Sequence, residues 1–257
     1  MLFDRIVYGP IHSRRLGNSL GINLMPTTDK LCTFDCIYCE CGFNQPVLYP
    51  HLPTRQEVKT ALEQFLLAYT AEEKNAPLDV ITFSGNGEPT LHPEFLGIIE
   101  DTCALRNCYC PQAKVSVLSN ATQLGREEVV RALRLCDNRI LKLDSAKDST
   151  MRLIDQPVNK SLTVEQIKEW LNLFEGDFTL QTCFVKGQVS EMWVDNTTTE
   201  EVSAWQQVVR ELRPKQVMIY VIDRATPVKT LEKISRPVME AIAEPLQQEG
   251  FNIIISA

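Results

Sequence analysis

The chain has no apolar run approaching the roughly 20 residues that a helix needs to cross a bilayer, so no membrane span is expected. No basic region followed by an apolar stretch opens it, and a secretory signal is therefore not expected. Positive charge is scarce: 26 Lys and Arg against 33 Asp and Glu give a net charge of −7. This balance argues mildly against a general affinity for nucleic acid. Repeats and low-complexity tracts are also lacking, which favours a single domain over the 257 residues.

Cysteine, in contrast, is abundant. Nine cysteines in a chain expected to be cytoplasmic predict metal-binding or buried thiols rather than disulfides. Three of them form the segment Cys32-Thr-Phe-Asp-Cys36-Ile-Tyr-Cys39, with the spacing C-x3-C-x2-C. Three thiolates are one fewer than a closed four-cysteine iron–sulfur or structural zinc site requires. A cubane cluster held in this way would keep one iron available for a ligand that is not protein.

Short β-like runs alternate with amphipathic helical patterns, which is typical of parallel strands joined by helices. The predicted strands are residues 21–25, 79–84, 114–119, 139–144, 178–185 and 215–222, with a last strand at 252–256. The predicted helices begin near residues 54, 93, 126, 163, 199 and 236. Pro245 should kink the last helix or end it early. Six βα units are too few for an eight-fold barrel, so an open, partial barrel is predicted.

A second notable segment follows the second predicted strand and reads Ser84-Gly85-Asn86-Gly87-Glu88-Pro89-Thr90. In parallel α/β folds, ligand sites gather where strands end, and the cysteine segment also follows a strand. The two glycines allow the backbone to approach a ligand, and the Glu88 carboxylate can accept hydrogen bonds from an ammonium group. An ordinary glycine-rich turn is the alternative interpretation.

The fourth and fifth predicted strands carry polar side chains on one face. Lys142 and Asp144 alternate with leucines and should point into the barrel, as should Gln181 and Cys183 on the next strand. Inward polar groups are costly in a sealed core but natural in a lined cavity. The alternative is that Lys142 and Asp144 only form an internal ion pair.

Together these segments resemble the radical S-adenosylmethionine (radical SAM) enzymes. The three cysteines, with Tyr38 just before the third, resemble the cluster motif of that superfamily. The segment Gly85-Asn86-Gly87-Glu88-Pro89 is similar to its Gly-Gly-Glu-Pro segment, with Asn86 inserted between the glycines. The opening Gly9-Pro10-Ile11-His12, the Gly-Glu-Pro-Thr form and Asp223-Arg224 look like the branch related to wyosine-type tRNA-modifying enzymes.

The resemblance covers essentially the whole chain. It implies an α/β fold, a partial (β/α)6 TIM-like barrel of parallel strands with outer helices, as a single domain over residues 1–257. Residues 1–19 would be an N-terminal extension, and residues from about 225 to 257 would supply a helix and strand that close the barrel. The implied cofactors are a [4Fe–4S] cluster and S-adenosylmethionine (SAM), whose methionine amino and carboxylate groups would chelate the fourth iron.

The resemblance also implies roles for particular residues. Cys32, Cys36 and Cys39 would each hold one iron, and Tyr38 would help to seat the adenine of SAM. Other residues implied in SAM binding are Gly85, Asn86, Gly87 and Glu88 for the amino group, and Ser119, Asn120, Asp144 and Ser145 for the carboxylate or ribose. Candidates for substrate binding are His12, Arg14, Arg15, Lys142, Gln181, Cys183 and Arg224, although surface ion pairing explains the arginines equally well.

The implied reaction starts when the reduced cluster donates one electron to SAM, which releases methionine and a 5′-deoxyadenosyl radical. That radical would abstract a hydrogen atom from the substrate, and a flavodoxin or ferredoxin would supply the electrons. The substrate stays open between a small metabolite, a tRNA base and a protein that receives a glycyl radical.

The remaining cysteines leave two alternatives. Cys41 is interpreted as a bystander because it follows Cys39 too closely to share one cluster; in a non-catalytic zinc module it would be the fourth ligand. A second metal site formed by Cys103, Cys108 and Cys110 stays an alternative. An auxiliary cluster near the C-terminus is not expected, because no cysteine follows Cys183.

Overall fold

The computed structural model describes residues 2–13, 15–46, 50–72 and 74–257. The chain divides into two compact units. The first comprises Met1–Cys32, Asn44–Ser119 and Gln123–Arg139, and the second comprises Thr33–Phe43, Asn120–Thr122 and Ile140–Ala257. Within the described ranges, no helix has the length and apolar character needed to span a membrane.

The first unit contains a sheet whose strands neighbour one another in chain order. They are β1 Val7–Ser13, β2 Gly17–Ile22, β3 Val80–Phe83 and β4 Lys114–Ser119. β1 runs antiparallel to β2, whereas β2, β3 and β4 are parallel, with Ser19 opposite Val80 and Val80 opposite Lys114. All four residues of β3 are buried, as expected for a parallel strand that is covered on both faces.

Three helices of the first unit follow these strands: α1 Arg55–Thr70, α2 Phe95–Tyr109 and α3 Glu127–Leu135. α1 begins at the predicted capping box, in which the Glu57 N–H donates to Thr54 Oγ1 at 3.2 Å and the Thr54 N–H donates to Glu57 Oε2 at 2.7 Å. A short 3₁₀ turn, Pro89–Leu91, lies between β3 and α2 and is capped by Glu88.

The second unit contains the parallel strands β5 Asn138–Lys142, which starts at the boundary between the units, β6 Thr179–Cys183, β9 Gln216–Tyr220 and β11 Ile253–Ser256. They neighbour one another in that order. The helices are α4 Asp148–Ile154, α5 Val164–Leu171, α6 Thr199–Leu212 and α7 Arg236–Gln248. Trp205 of α6 is buried, and its indole N–H donates to Thr182 Oγ1 of β6 at 2.9 Å.

A small antiparallel sheet in the second unit was not predicted. It consists of β7 Lys186–Val189, β8 Met192–Asp195 and β10 Leu231–Glu232. The turn between β7 and β8 holds Ser190 at a φ of 54°, without the Asn-Gly or Asp-Gly pair that makes such hairpins recognisable in sequence. β1 and α4 were also missed.

The predicted α/β class with parallel strands is confirmed, and the ends of several elements differ from the prediction. The first parallel strand ends at Ile22 rather than Met25, because the Asn23 side chain bonds to the N–H and the carbonyl of Met25 and takes the chain out of the ladder. Pro245 does not end the last helix early, since α7 continues to Gln248. Its buried face of Met239, Ile242, Ala243 and Leu246 compensates for the hydrogen bond that proline cannot make.

Candidate functional site

The first cysteine of the motif is fixed by an asparagine twelve residues later. Asn44 Oδ1 accepts the Cys32 N–H at 3.0 Å, and Asn44 Nδ2 donates to the Cys32 carbonyl at 3.0 Å. Both polar groups of the Cys32 peptide are thus held by one side chain. The orientation of the Cys32 backbone therefore depends on Asn44.

The glycine-rich segment lies directly against the residue before Cys32. Leu31 and Gly87 form a parallel β-bridge, in which the Leu31 N–H donates to the Asn86 carbonyl at 2.9 Å and the Glu88 N–H donates to the Leu31 carbonyl at 3.0 Å. The glycine-rich segment and the residue before Cys32 are therefore joined through their main chains within the first unit, although Leu31 and Gly87 are 56 positions apart in the sequence.

Asn86, the residue inserted between the two glycines, is completely buried. Its Nδ2 donates to the carbonyls of Phe3 and Pro26, both at 2.8 Å, and its Oδ1 accepts the Phe3 N–H at 2.8 Å. Asn23 Oδ1 in turn accepts the Asn86 N–H at 3.0 Å. The Asn86 side chain therefore ties the loop to the N-terminal segment.

Glu88 is buried at the end of the same loop. Its Oε1 accepts hydrogen bonds from the Thr90 N–H at 3.1 Å, from the Thr90 hydroxyl and from Ser119 Oγ at 2.8 Å. Ser119 is the last residue of β4, so Glu88 links the ends of β3 and β4. Two residues expected in SAM binding, Glu88 and Ser119, are thus in direct contact.

The second unit holds the other two cysteines of the motif. The Cys39 N–H donates to the Cys36 carbonyl at 3.0 Å, so a turn brings the two residues together. Cys36 is buried, and Cys39 is half-buried. Lys142 Nζ donates to Cys36 Sγ at 3.4 Å. A cation therefore lies beside the sulfur of this cysteine.

Lys142 also pairs with two carboxylates, Asp144 at 3.0 Å and Asp155 at closer range. The internal ion pair that the sequence left open for Lys142 and Asp144 is therefore present. Burial by itself lowers the pKa of Lys142, but the two carboxylates outweigh it and hold that pKa well above its ordinary value. Burial raises the pKa of Asp155 to about 7, an effect that the Lys142 ammonium opposes and the Asp144 carboxylate increases.

Asp144 connects this charge cluster to aromatic and thiol groups. The Tyr38 hydroxyl donates to Asp144 Oδ2, the Cys183 N–H donates to Oδ1 at 2.9 Å, and the Tyr220 hydroxyl lies 3.4 Å from that of Tyr38. Burial raises the pKa of Tyr38, Tyr220 and Cys183 well above their ordinary values. These three side chains are therefore uncharged at neutral pH.

The ends of β5 and β6 are tied together by Asn196. Its Nδ2 donates to the carbonyls of Asp144 and Cys183, at 2.9 and 2.8 Å, and its Oδ1 accepts the Val185 N–H at 2.8 Å. Gln181, buried on β6, lies opposite Lys142 in the parallel ladder. The polar residues expected on one face of the fourth and fifth strands are thus brought together.

Other predicted residues have separate partners. Asn120 Nδ2 donates to Thr33 Oγ1 at 2.8 Å, and Ser145 Oγ donates to Glu201 Oε2 at 2.8 Å. Arg224 is exposed and forms an ion pair with Glu40 at 2.7 Å.

Two candidates of the opening segment lie on or beside β1. His12 is exposed on that strand, and the half-buried Arg15 donates its N–H to Ser13 Oγ at 3.3 Å. Arg14 lies outside the described residues.

The chemistry of the donors fits an iron–sulfur cluster. Cysteine thiolates are its usual ligands, and the structure provides three cysteines with a fixed main chain at Cys32 and a cation beside Cys36. Among the described residues, no three His, Cys, Asp or Glu side chains converge as ligands of a single metal ion. The cysteines of a cubane bind different irons and so need not converge on one point.

Residues 30–191, a range that contains both the cysteine segment and the glycine-rich segment, match the radical SAM superfamily. The chain belongs to the radical SAM superfamily. The fold class predicted from the sequence, a partial TIM-like barrel, is thereby confirmed, as are a [4Fe–4S] cluster and SAM as the cofactors of this family. Members of this superfamily are enzymes.

Several curated proteins are similar in sequence. A protein of Brachyspira hyodysenteriae named GTPase Obg is 29% identical over 231 residues, which cover 86% of this chain and 30% of that protein. A UPF0026 protein of Helicobacter pylori is 31% identical over 186 residues, covering 71% of this chain and 57% of that protein. The chain therefore spans 30% of the length of the first relative and 57% of the length of the second.

Solved structures share the fold at low sequence identity. Streptococcus suis SuiB bound to S-adenosylmethionine has a TM-score of 0.63 at 13% identity, with 89% of this chain and 49% of that chain covered. TYW1 with a lysine-pyruvate adduct bound has a TM-score of 0.62 at 13% identity, with 90% and 73% covered. At this level of identity, the likeness concerns the fold alone.

Sequence reasoning missed several residues that organise the site, among them Asn23, Asn44, Asp155 and Tyr220. Tyr220 lies opposite Cys183 in the ladder, so the alternation applied to the fourth and fifth strands would have found it on the sixth. Asp155 follows α4, a helix that was not predicted, and the two asparagines lie in loops without a pattern. For these three, the sequence contains no signal.

Proposed function

We propose that this protein is a radical SAM enzyme that reductively cleaves SAM and uses the resulting radical to abstract hydrogen from a substrate that is still to be identified. The observation that carries the proposal is the C-x3-C-x2-C segment inside the part of the chain that matches the superfamily. In this proposal, Cys32, Cys36 and Cys39 are the three cluster ligands. When bound by these residues, the cluster would supply one electron to SAM, and cleavage of a carbon–sulfur bond of the sulfonium would yield methionine and a 5′-deoxyadenosyl radical.

Residues of the glycine-rich loop, together with Ser119, would then hold the methionine end of SAM. We assign the amino group to the loop Gly85–Glu88 and the carboxylate to the neighbourhood of Ser119. The contacts that support this assignment are the main-chain bridge from Gly87 to Leu31, next to Cys32, and the hydrogen bond from Ser119 to Glu88. Asn86 would contribute by holding the loop, since its side chain is engaged with Phe3 and Pro26.

Tyr38, Asn120 and Ser145 would orient the nucleoside end of SAM and exclude water. Tyr38 is half-buried and fixed by its hydrogen bond to Asp144, which makes it a rigid surface for the adenine. Asn120 and Ser145, which follow β4 and β5 in the chain, are assigned to the ribose region. The exclusion of water matters because a reactive carbon radical has to react with its substrate before side reactions consume it.

The proposal is tested by anaerobic reconstitution of the purified protein with iron and sulfide. We expect about four irons and four sulfides per chain, brown colour, and 5′-deoxyadenosine formed from SAM after reduction. Cys36→Ala should abolish SAM cleavage, whereas the matched variant Cys41→Ala should keep most of it. A colourless protein with one zinc per chain would contradict the proposal and favour the zinc module.

Loss of the cluster in Cys41→Ala would instead overturn the assignment of the three ligands. The substrate itself can be found with deuterated cell-extract fractions, because hydrogen abstraction transfers deuterium into 5′-deoxyadenosine. The small-metabolite, tRNA-base and protein alternatives would each enrich a different fraction. We further propose that the protein is located in the cytoplasm and that a flavodoxin or ferredoxin donates the electrons.

A further inference from the structure

Lys142 occupies an unusual position for a lysine. Only 11% of its side chain is exposed, and its Nζ lies 4.8 Å from the ring centre of Phe34 and 5.4 Å from that of Tyr38. Burial of an ammonium group is costly unless it is paired and hydrogen-bonded. An interior lysine on a central strand therefore requires specific partners.

The ammonium group has three N–H donors, and the structure supplies three acceptors. Two are the carboxylates of Asp144 and Asp155, whose side chains are at most 2% exposed. The third is Cys36 Sγ, at 3.4 Å. With all of its donors engaged in this way, Lys142 has none left for a substrate. These contacts favour a role of Lys142 toward Cys36.

The two carboxylates also explain why the ammonium stays in place. They hold Nζ from the side of β5 and from the end of α4, so its contact with Cys36 is set by rigid elements of one unit. A cation that donates a hydrogen bond to a cluster sulfur stabilises the extra electron of the reduced cluster. Hydrogen bonds to cluster sulfurs and local charge are known determinants of reduction potential.

We propose that Lys142 is a positioning residue that holds the Cys36 sulfur and raises the reduction potential of the cluster. The inference rests on the proposed function in one respect, that Cys36 is a cluster ligand. It goes further in assigning a lysine outside the cysteine motif to the control of electron transfer. Asp144 and Asp155 are, in this assignment, the groups that orient Lys142.

The test is a redox titration of the reconstituted cluster without SAM, followed by electron paramagnetic resonance. Lys142→Met leaves two carboxylates without their partner, so Lys142→Met/Asp155→Asn is measured beside it to secure a folded variant. In either variant we expect the equilibrium constant for one-electron reduction of the cluster to fall about tenfold. This corresponds to a midpoint potential about 59 mV more negative. Lys142→Arg, which keeps the cation, should stay nearer to the wild type.

Lys168 provides a matched control. It is a lysine of the same unit, 17% exposed, that pairs with Glu165 and Glu211, and Lys168→Met should leave the midpoint unchanged. A wild-type midpoint in the folded Lys142 variants would overturn the inference, whatever their thermal stability. Failure of the wild-type protein to assemble any cluster would, in contrast, overturn the proposed function itself.

Discussion

A side chain at Gly87 would place its Cβ 1.8 Å from the carbonyl oxygen of Leu31. This distance is far below any contact that a Cβ can make, and the atom it would meet is main chain, which cannot rotate away. Gly87 also has a φ of 150°, a conformation that disfavours any other residue. The residue before Cys32 and the glycine-rich loop can therefore join only because position 87 has no side chain.

We accordingly expect Gly87→Ala to lower the free energy of unfolding by about 3 kcal/mol, because it combines backbone strain with a main-chain clash. Gly250→Ala is the matched control: Gly250 also has a positive φ, 91°, but nothing lies within 4 Å of the position that a Cβ would take there. The control should lose only about 1–2 kcal/mol. Urea denaturation measures both, and equal losses would show that the contact with Leu31 is unimportant.

Asn44 should control how firmly the cluster is retained. Asn44→Ala removes both hydrogen bonds that fix the Cys32 peptide, so the first cysteine would lose its orientation. Residues that orient metal ligands typically affect metal affinity by roughly 10- to 100-fold, and we expect iron loss to a chelator to become at least about tenfold faster. The exposed Asn159→Ala serves as control, and equal rates of iron release in both variants would refute the prediction.

Asp137 should make stability depend on pH. Burial would raise the pKa of this carboxyl, but the Val115 N–H at 2.8 Å and the Arg106 guanidinium at 2.8 Å outweigh burial, so the pKa lies below its ordinary value. A lowered pKa means that the stabilisation is complete above the unfolded-state value of about 4 and is lost as the pH falls through the folded-state value.

Asp137→Asn should therefore be less stable than the wild type by about 1–2 kcal/mol at pH 7, and this difference should narrow as the solution is acidified below about pH 4. Urea denaturation at a series of pH values measures the difference directly. A difference in unfolding free energy of the same size at every pH would mean that the charge of Asp137 contributes nothing to stability.

Much of the architecture was predictable because it depends on short-range patterns. The residues of β4 and α6 and the capping box at Thr54 were predicted at the positions where they occur. β7, β8 and β10 were not, since short strands on a small sheet carry too little periodicity to be recognised. Met25 was assigned to a strand because local propensity does not include the hydrogen bonds that Asn23 makes across the turn.

The sequence by itself determined the family and its cofactors, because a cluster motif is defined by the type of its donor residues and by their spacing along one loop. The contacts of Cys36 with Lys142, of Lys142 with Asp155 and of Cys32 with Asn44 became visible only in the tertiary structure. Their positions depend on how strands and helices that are distant in sequence pack, and on the need to pair every buried charge. Neither of these can be recognised from a local sequence pattern.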